Sequence, residues 1–415
     1  MTSFIIRGVR LFDGLDVSEN TSVLIKDGVI AEVGPNTEAE GVPIIEKPGH
    51  TLLPGLIDAH VHPDDNAAFS EQAFRFGVTT LMEMQNRHAA QQKQWSRERK
   101  DFPDIKSTHS AATIENGWPA AILKKVSGPE GSDFDKWPNV KTVEDAEPYI
   151  EKALAEGSDY IKLFHERGKA IGLPAGSLNQ PSEAVQAAVV QAAHKNNLKV
   201  VAHALSLVDT VEILRAGVDG LAHTFFDEPI TEEVKNLYKK TGAWVSPTLY
   251  VIGTLTGETY DAAELYASDP RVASRISEAE VDTLRSKLVM KEESAKLENA
   301  VESVRQLKAQ GVDILAGSDS GPGLATIFGV ALHLELYHLV HAAGLSPLEA
   351  LRAVTSTTAR CFGWSDRGMV EPGKKADLLL VEGNPLEDIR ELLNIRGVWR
   401  DGVEFKGHTG FPREI

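Results

Sequence analysis

Hydrophobic and polar positions give the chain three textures. Over the first fifty residues apolar and polar side chains alternate. Residues 4–11 do so, and residues 22–33 do so again around Asp27-Gly28, a pair suited to the φ > 0 turn of a hairpin. A third apolar stretch leads into Pro48-Gly49. This two-residue period predicts short strands without a helix. From residue 51 the pattern changes. Eight short apolar runs (51–62, 78–84, 105–114, 160–164, 199–203, 220–224, 244–250 and 313–319) alternate with amphipathic stretches such as 185–196 and 207–215. Some runs open just after a glycine able to stop a helix, as at Gly157 and Gly217. Eight buried strands alternating with helices predict an α/β fold, the (β/α)8 TIM barrel.

After a helix expected over 347–359, strand texture returns. Residues 376–381 are apolar, and 397–405 read as a hairpin around Asp401-Gly402. Neither β-rich end could cover its apolar face alone, so both are expected to build one small β-sandwich. The predicted division is a β-sandwich domain from residues 1–54 and 365–415 and a barrel from 55–364. The longest connection, 251–312, carries a charged helical pattern over 278–310. Insertions after barrel strands fall on the catalytic face, which suggests a lid; a helix pair packed outside or in a subunit contact is the other reading.

Composition narrows the function. A chain of 415 residues suits one large barrel with a satellite domain. A formal net charge of −17 argues against nucleic acid as a partner; it says little about a small-molecule substrate, the expected partner, which responds to the local field of its site. No apolar run is long enough to cross a membrane, and the start, Met1 to Gly8, lacks the basic and apolar regions of a signal peptide. The single cysteine, Cys361, reads as the buried end of a helix and excludes an internal disulfide, so a reducing, cytoplasmic setting is expected. A homo-oligomer is expected because symmetric assemblies are common.

The sharpest chemical signal is Asp58-Ala-His60-Val-His62, at the end of the first barrel run. Side chains alternate along a strand, so His60 and His62 face the same way and could grip one metal ion. His203 ends the fifth run, His223 the sixth and Asp319 the eighth. Catalytic residues of such barrels come from the C-terminal ends of several strands, and these five converge on one mouth. Lys162 lies on an otherwise apolar run, sharing a face with Tyr160 and Phe164. A lysine pointing into a barrel must be paired, neutral or chemically altered. It either pairs with Asp319 or Asp58, or becomes a carbamate by reaction with carbon dioxide and so an oxygen ligand. His333, His338 and His341 share one predicted helix without the spacing of a zinc-protease site and read as surface or packing residues. His50, His88, His194 and His408 have no evident partners in the sequence.

These residues carry a family resemblance that spans essentially the whole chain. Leu52-Leu-Pro-Gly-Leu-Ile-Asp-Ala-His-Val-His62, Tyr160-Ile-Lys-Leu163, Val201-Ala-His203, Leu221-Ala-His223, Ala316-Gly-Ser-Asp-Ser320 and Gly373-Lys-Lys-Ala-Asp-Leu-Leu-Leu-Val381 resemble the amidohydrolase superfamily, nearest its imidazolonepropionase-like and Xaa-Pro dipeptidase-like branch. The resemblance implies two divalent ions, zinc first among the candidates. His60, His62 and Asp319 would hold one, His203 and His223 the other, with the carbamate of Lys162 and a hydroxide between them. It implies hydrolysis of an amide or other carbon–nitrogen bond by that hydroxide, with Asp319 as general base and then acid. Tyr250, at the end of run seven, and His109, at the end of run three, are candidates to hold the oxyanion. Two loops depart from the family pattern. His165-Glu-Arg-Gly168 replaces a small glycine-rich loop and places His165 and Arg167 where they read a polar substrate group or one another. Glu115-Asn-Gly-Trp-Pro119 replaces a glycine- and histidine-rich stretch. Rival readings are a lactone, ester or phosphotriester hydrolase with the same centre, a one-metal ring-opening or deaminating relative with Lys162 unmodified, and a non-catalytic scaffold, which the six filled ligand positions oppose.

Overall fold

The alternating segments form strands where the period predicts them. The computed structural model describes residues 3–86, 88–127, 137–259 and 261–406. In the first segment lie β1 (Ser3–Phe12), β2 (Val17–Lys26), β3 (Val29–Gly34), β4 (Ile44–Glu46) and β5 (His50–Pro54). At the other end lie β13 (Leu378–Glu382), β14 (Ile395–Arg400) and β15 (Val403–Glu404), and β6 to β12 fall between. The end strands join in one hydrogen-bonded sheet of order β15-β14-β13-β5-β1-β2-β3, with β4 on β1. The seam is β5 against β13, antiparallel from His50↔Glu382 to Pro54↔Leu378. Both chain ends therefore share a sheet, as expected, but the pairing gives one sheet where two packed layers were predicted. Its apolar side buries Ile6, Val9, Ile25, Leu52, Leu380 and Trp399. Both predicted hairpin turns have positive φ at their two central residues: 53° and 85° at Asp27-Gly28, 47° and 70° at Asp401-Gly402.

The central strands are parallel. β6 (Leu56–Val61), β7 (Val78–Glu83) and β8 (Asp104–Ser107) form one sheet. β9 (Ile161–Phe164), β10 (Val200–His203), β11 (Gly220–Ala222) and β12 (Trp244–Ser246) form another. Helices such as Glu183–Lys195 and Leu207–Arg215 pack on them through Val189, Ala193, Ile213 and Leu214, and their hydroxyl N-caps Ser182 and Ser206 accept from the Val185 and Asp209 amides. Between the sheets, Ala112 bridges Leu163, and the Asp159 amide donates to Ser107 at 2.8 Å.

Four predicted runs change on folding. Run 51–62 divides at Gly55 into β5 of the end sheet and β6 of the parallel set; a Cβ at Gly55 would lie 2.2 Å from Thr79 Oγ1. Run 105–114 is a strand only through Ser107, because His109 takes a φ of 56°. Run 244–250 stops at Ser246 and gives way to helix Leu249–Thr256. Run 313–319 keeps only single parallel bridges, Ile314 to Val245 and Ser320 to Val61. The segment is still hydrogen-bonded on both sides: the Ala59 and His62 amides donate to Ala316 and Ser320 at 3.0 and 2.7 Å, the Asp319 amide to His60 at 2.8 Å, and the Leu315 amide to Val245 at 2.8 Å; the left-handed φ of 50° at Asp319 interrupts its regular extension. The helical pattern over 278–310 also breaks, into Glu278–Arg285 and Leu297–Ala309, and 347–359 into Pro347–Ala353 and Ser356–Cys361.

The insertion packs on a later helix and on two loops. Tyr266, Val272 and Leu284 pack with Val330 and Leu334 of helix Val330–His341. The following segment ties down the loops after β9 and β11: the Glu292 amide donates to Ala170 at 3.0 Å and the Lys296 amide to Phe226 at 2.9 Å.

Charge fastens the end sheet to the parallel strands. Arg400 on β14 is 4% exposed, and its Nη1 donates to the carbonyls of Ser96, Arg99 and Phe102 at 2.7, 3.0 and 2.6 Å. Asp104, opening β8, meets Arg367 at 2.6 Å and Arg400 at 3.7 Å. Burial works against its charge, but Arg367, Lys106, Lys375 and Arg400 hold its carboxyl well below the usual carboxylate range. A depressed folded value stabilises above the unfolded one, about pH 3.9, and that stability drains away as pH falls below it. Arg400→Met strands three carbonyls and an acidic partner, at an expected cost of about 3–5 kcal/mol in urea unfolding. A change below about 1 kcal/mol would show that this junction contributes little.

Candidate metal centre

Every ligand candidate sits at or just beyond the C-terminal end of a strand or run, Lys162 within β9. His60 is on β6 and His62 follows its last residue. Their Nε2 atoms lie 3.1 Å apart, and Asp319 Oδ1 is 3.2 Å from the first and 3.3 Å from the second. These three offer ligand atoms all within 4.8 Å of one another. His203 ends β10 and His223 follows β11. Their ring centroids are 4.7 Å apart, and the His223 ring is 4.9 Å from that of His60. His223 Nε2 lies 4.0 Å from Asp319 Oδ2. Lys162 is fully buried and its Nζ has no hydrogen-bond partner, so the pairing with Asp319 or Asp58 weighed from the sequence is not made.

The protonation states suit cation binding. Burial first, then the Lys162 charge, drives His60 and His203 well below the ordinary histidine range. Burial and His203 do the same to His223. Neutral imidazoles are what a metal requires. Asp319 is opposed by burial, yet His62, His223 and Lys162 hold its carboxyl below the usual value. Burial brings the Lys162 amine down to about 7, against the pull of Asp319. A neutral amine is the form that adds carbon dioxide.

The donor set fits a divalent ion on a further ground. His60 Nδ1, Lys162 Nζ and His203 Nε2 are buried without hydrogen-bond partners. Buried polar atoms are ordinarily satisfied, and three orphans in one cluster point to a missing partner. His203 Nε2 comes within 3.3 Å of Glu166 Oε2, but not in hydrogen-bonding geometry. Imidazoles with a carboxylate suit zinc, manganese, iron, cobalt or nickel. The backbone is strained around the cluster: φ is positive at His109, His223, Thr248 and Asp319, at 56°, 106°, 54° and 50°. Asp58 fixes the geometry from beneath. Its carboxylate accepts from the His60 amide at 3.2 Å, the Ser318 amide at 2.9 Å and the Ser318 hydroxyl at 2.6 Å.

The other sequence candidates are placed differently. His109 follows β8, is 8% exposed, and its buried Nε2 has no hydrogen-bond partner. Tyr250 is not at a strand end. It lies in the first turn of helix Leu249–Thr256, fully buried, its hydroxyl 3.5 Å from the carbonyls of Leu284 and Ala325. The sequence missed the turn because Ser246-Pro-Thr-Leu-Tyr250 keeps an apolar texture through the change from strand to helix. His165 and Arg167 answer one another's neighbours. His165 Nε2 pairs with Glu212 at 2.9 Å, while Arg167 pairs with Glu212 and Asp209 at 2.6 Å each. Arg167→Met leaves the buried Asp209 without its cation, so we expect a loss of about 3 kcal/mol in stability. Hydrolysis of anionic and neutral substrates should fall together. A selective loss on anionic substrates would instead make Arg167 a substrate reader.

Three residues touch the cluster in ways the sequence reading did not name, although Glu166 and Trp118 lie in the two departing loops it singled out. Glu166 is buried, its Oε1 accepting from Gly168 at 2.6 Å and Oε2 from Leu205 at 3.0 Å. Trp118, in the departing loop, stacks on His203 with centroids 5.1 Å apart. Thr248 Oγ1 lies 2.7 Å from His223 Nδ1. His333 and His338 are buried packing residues, bonded to the Phe76 and Leu334 carbonyls. His194 does have a partner, Asp219 at 2.8 Å; His88 lies 3.9 Å from Asp64, and His50 Nδ1 is 3.0 Å from the Pro48 carbonyl. Cys361 ends its helix with its thiol pushed up to about 12 by burial, and His408 lies outside the described residues.

The profile of the amidohydrolase family matches residues 51–404. Ochratoxinase of Aspergillus niger is 28% identical over 276 residues, 64% of this chain and 50% of that protein, so the chain spans about half the length of that curated relative. Enamidase of Eubacterium barkeri is 22% identical over 388 residues, 90% of this chain and 84% of that protein. The solved structure of a Xaa-Pro dipeptidase with methionine in its active site shares the fold at a TM-score of 0.75 and 22% identity, over 98% of this chain and 100% of the other.

Proposed function

Since the chain belongs to the amidohydrolase family, we propose that it is a metal-dependent hydrolase of a carbon–nitrogen bond in a small molecule: an amide, a cyclic amide, an N-acyl amino acid or a dipeptide-like compound. In this reading the two parallel sheets and residues 313–320 make one (β/α)8 barrel over 55–364. Residues 1–54 and 365–415 make the β-domain beside it. The carrying observation is the convergence of His60, His62 and Asp319 within 4.8 Å beside His203, His223 and an unpartnered buried lysine.

His60, His62 and Asp319 would hold one ion and His203 and His223 a second, with Lys162, as its carbamate, offering an oxygen to each. Two such ions would make hydroxide available near neutral pH and polarise the scissile carbonyl. Asp319 accepts the attacking water's proton on its carboxylate and returns it to the leaving nitrogen. The oxyanion is not assigned to His109, whose charged neighbours are Lys93, Glu156, Asp159 and Lys152, none of them in the ligand cluster. Tyr250 has no part in this, since its hydroxyl is turned to the Leu284 and Ala325 carbonyls. Trp118, stacked on His203, gives the entrance an aromatic wall.

A second reading is a one-ion site with Lys162 unmodified, favoured by the 3.3 Å approach of Glu166 to His203 Nε2, which gives that nitrogen an internal neighbour. Metal analysis separates the two, at two ions per chain or one. The activity is tested by offering the zinc-loaded protein N-acyl amino acids, Xaa-Pro dipeptides and aromatic amides and measuring amine release. Hydrolysis of lactones, esters or phosphotriesters without any amine release would overturn the carbon–nitrogen assignment.

A further inference from the structure

Beyond β12 the chain passes through Pro247 to Thr248, which is fully buried at φ 54°, ψ 47°. A β-branched residue rarely adopts this left-handed conformation. Thr248 stands at the N-cap of helix Leu249–Thr256, and threonine caps helices well, as Thr231 does for Glu232–Thr241 by accepting from the Val234 amide. Thr248 makes no such bond. Its hydroxyl is turned to His223 Nδ1 at 2.7 Å.

Another element does the capping. Glu335, fully buried on helix Val330–His341, accepts from the Tyr250 amide at 2.9 Å, and the amides of Leu249 and Thr248 also address its carboxylate. Holding a threonine in the left-handed region strains the backbone. Burying the Glu335 carboxylate adds a desolvation cost. The first cost falls at the residue whose hydroxyl touches His223, the second at the residue that caps its helix. A relaxed Thr248 capping its own helix would avoid them, and would give up that hydroxyl.

We propose that Glu335 and Thr248 form a positioning device for His223: Glu335 caps the helix and fixes Thr248 in its left-handed conformation, which frees the Thr248 hydroxyl to accept the Nδ1 proton and present Nε2 to a metal ion. The direction of the bond follows from the geometry, since Nε2 is the nitrogen facing Asp319, 4.0 Å away. The inference rests on His223 being a ligand. It assigns two residues, one of them outside the strand ends entirely, to the tautomer and aim of that ligand.

The test measures zinc affinity by competition with a chromophoric chelator, alongside the melting temperature of the metal-stripped chain. Thr248→Val should weaken zinc binding by about 10–100-fold with little change in metal-free melting temperature. Thr248→Ser and Glu335→Gln should bind zinc nearly as the parent does, while Glu335→Leu should match Thr248→Val in affinity and also melt earlier. Parental affinity in Thr248→Val, or equal losses in Thr248→Ser and Thr248→Val, overturns the device. His223→Asn is the control. If it keeps full zinc binding, the ligand assignment itself is wrong; if it loses zinc while Thr248→Val does not, only the positioning role falls.

Discussion

Lys162→Met should leave the chain folded, reduce its bound metal from two ions to at most one, and slow hydrolysis by about 10³-fold, the equivalent of several kcal/mol of lost transition-state stabilisation. The fold is expected to survive because the lysine contributes no internal bond: Nζ is buried and unpartnered, 5.7 Å from the Phe164 ring. Methionine has a similar length and no polar atom to desolvate, so the metal-stripped variant should melt at or above the parental temperature. That combination separates a ligand from a structural lysine, whose loss would lower stability and leave metal content alone. Retention of two ions and of activity would sink the bridging role of Lys162.

Asp319→Asn should lower turnover by about 10²–10⁴-fold while the melting temperature stays within a few degrees. The amide keeps the size and one oxygen of the carboxylate but cannot take up a proton in the pH range of interest. The backbone of residue 319 is held independently of the side chain, its amide donating to the His60 carbonyl at 2.8 Å, so geometry should persist. Amine release and metal content, measured together, tell a lost proton shuttle from a lost ligand. Full activity in this variant would move the general base elsewhere.

The convergence of the candidate residues was legible in the sequence because their chemistry and the strand period coincide. Histidines two apart on an apolar run share a face, His203 falls at the end of an apolar run, and His223 falls at the end of one opened by Gly217. What could not be read depends on contacts between distant elements. Thr248 and Glu335 are 87 residues apart, in segments with no common pattern, and nothing local marks Thr248 as left-handed. Arg167 looked free to meet a substrate because Asp209 and Glu212 sit on a helix more than forty residues later. The eighth run keeps its hydrogen bonds to β6 and β12 but not a regular extended form, because Asp319 takes a left-handed φ that no local pattern announces.

The seam between β5 and β13 has a consequence for the order of events during synthesis. The Thr51 hydroxyl donates to the Gly383 carbonyl across 332 residues, and β5 is separated from the histidine-bearing β6 by Gly55 alone. When β1 to β12 have been made, β13 is still to come, and the edge of β5 that it will cover stays open. β5 leads through Gly55 into the strand that carries His60, so the segment just ahead of that histidine gains its last sheet neighbour only once residues 378–382 exist. A pairing of such long range is slow to form and leaves an edge exposed to association in the interval.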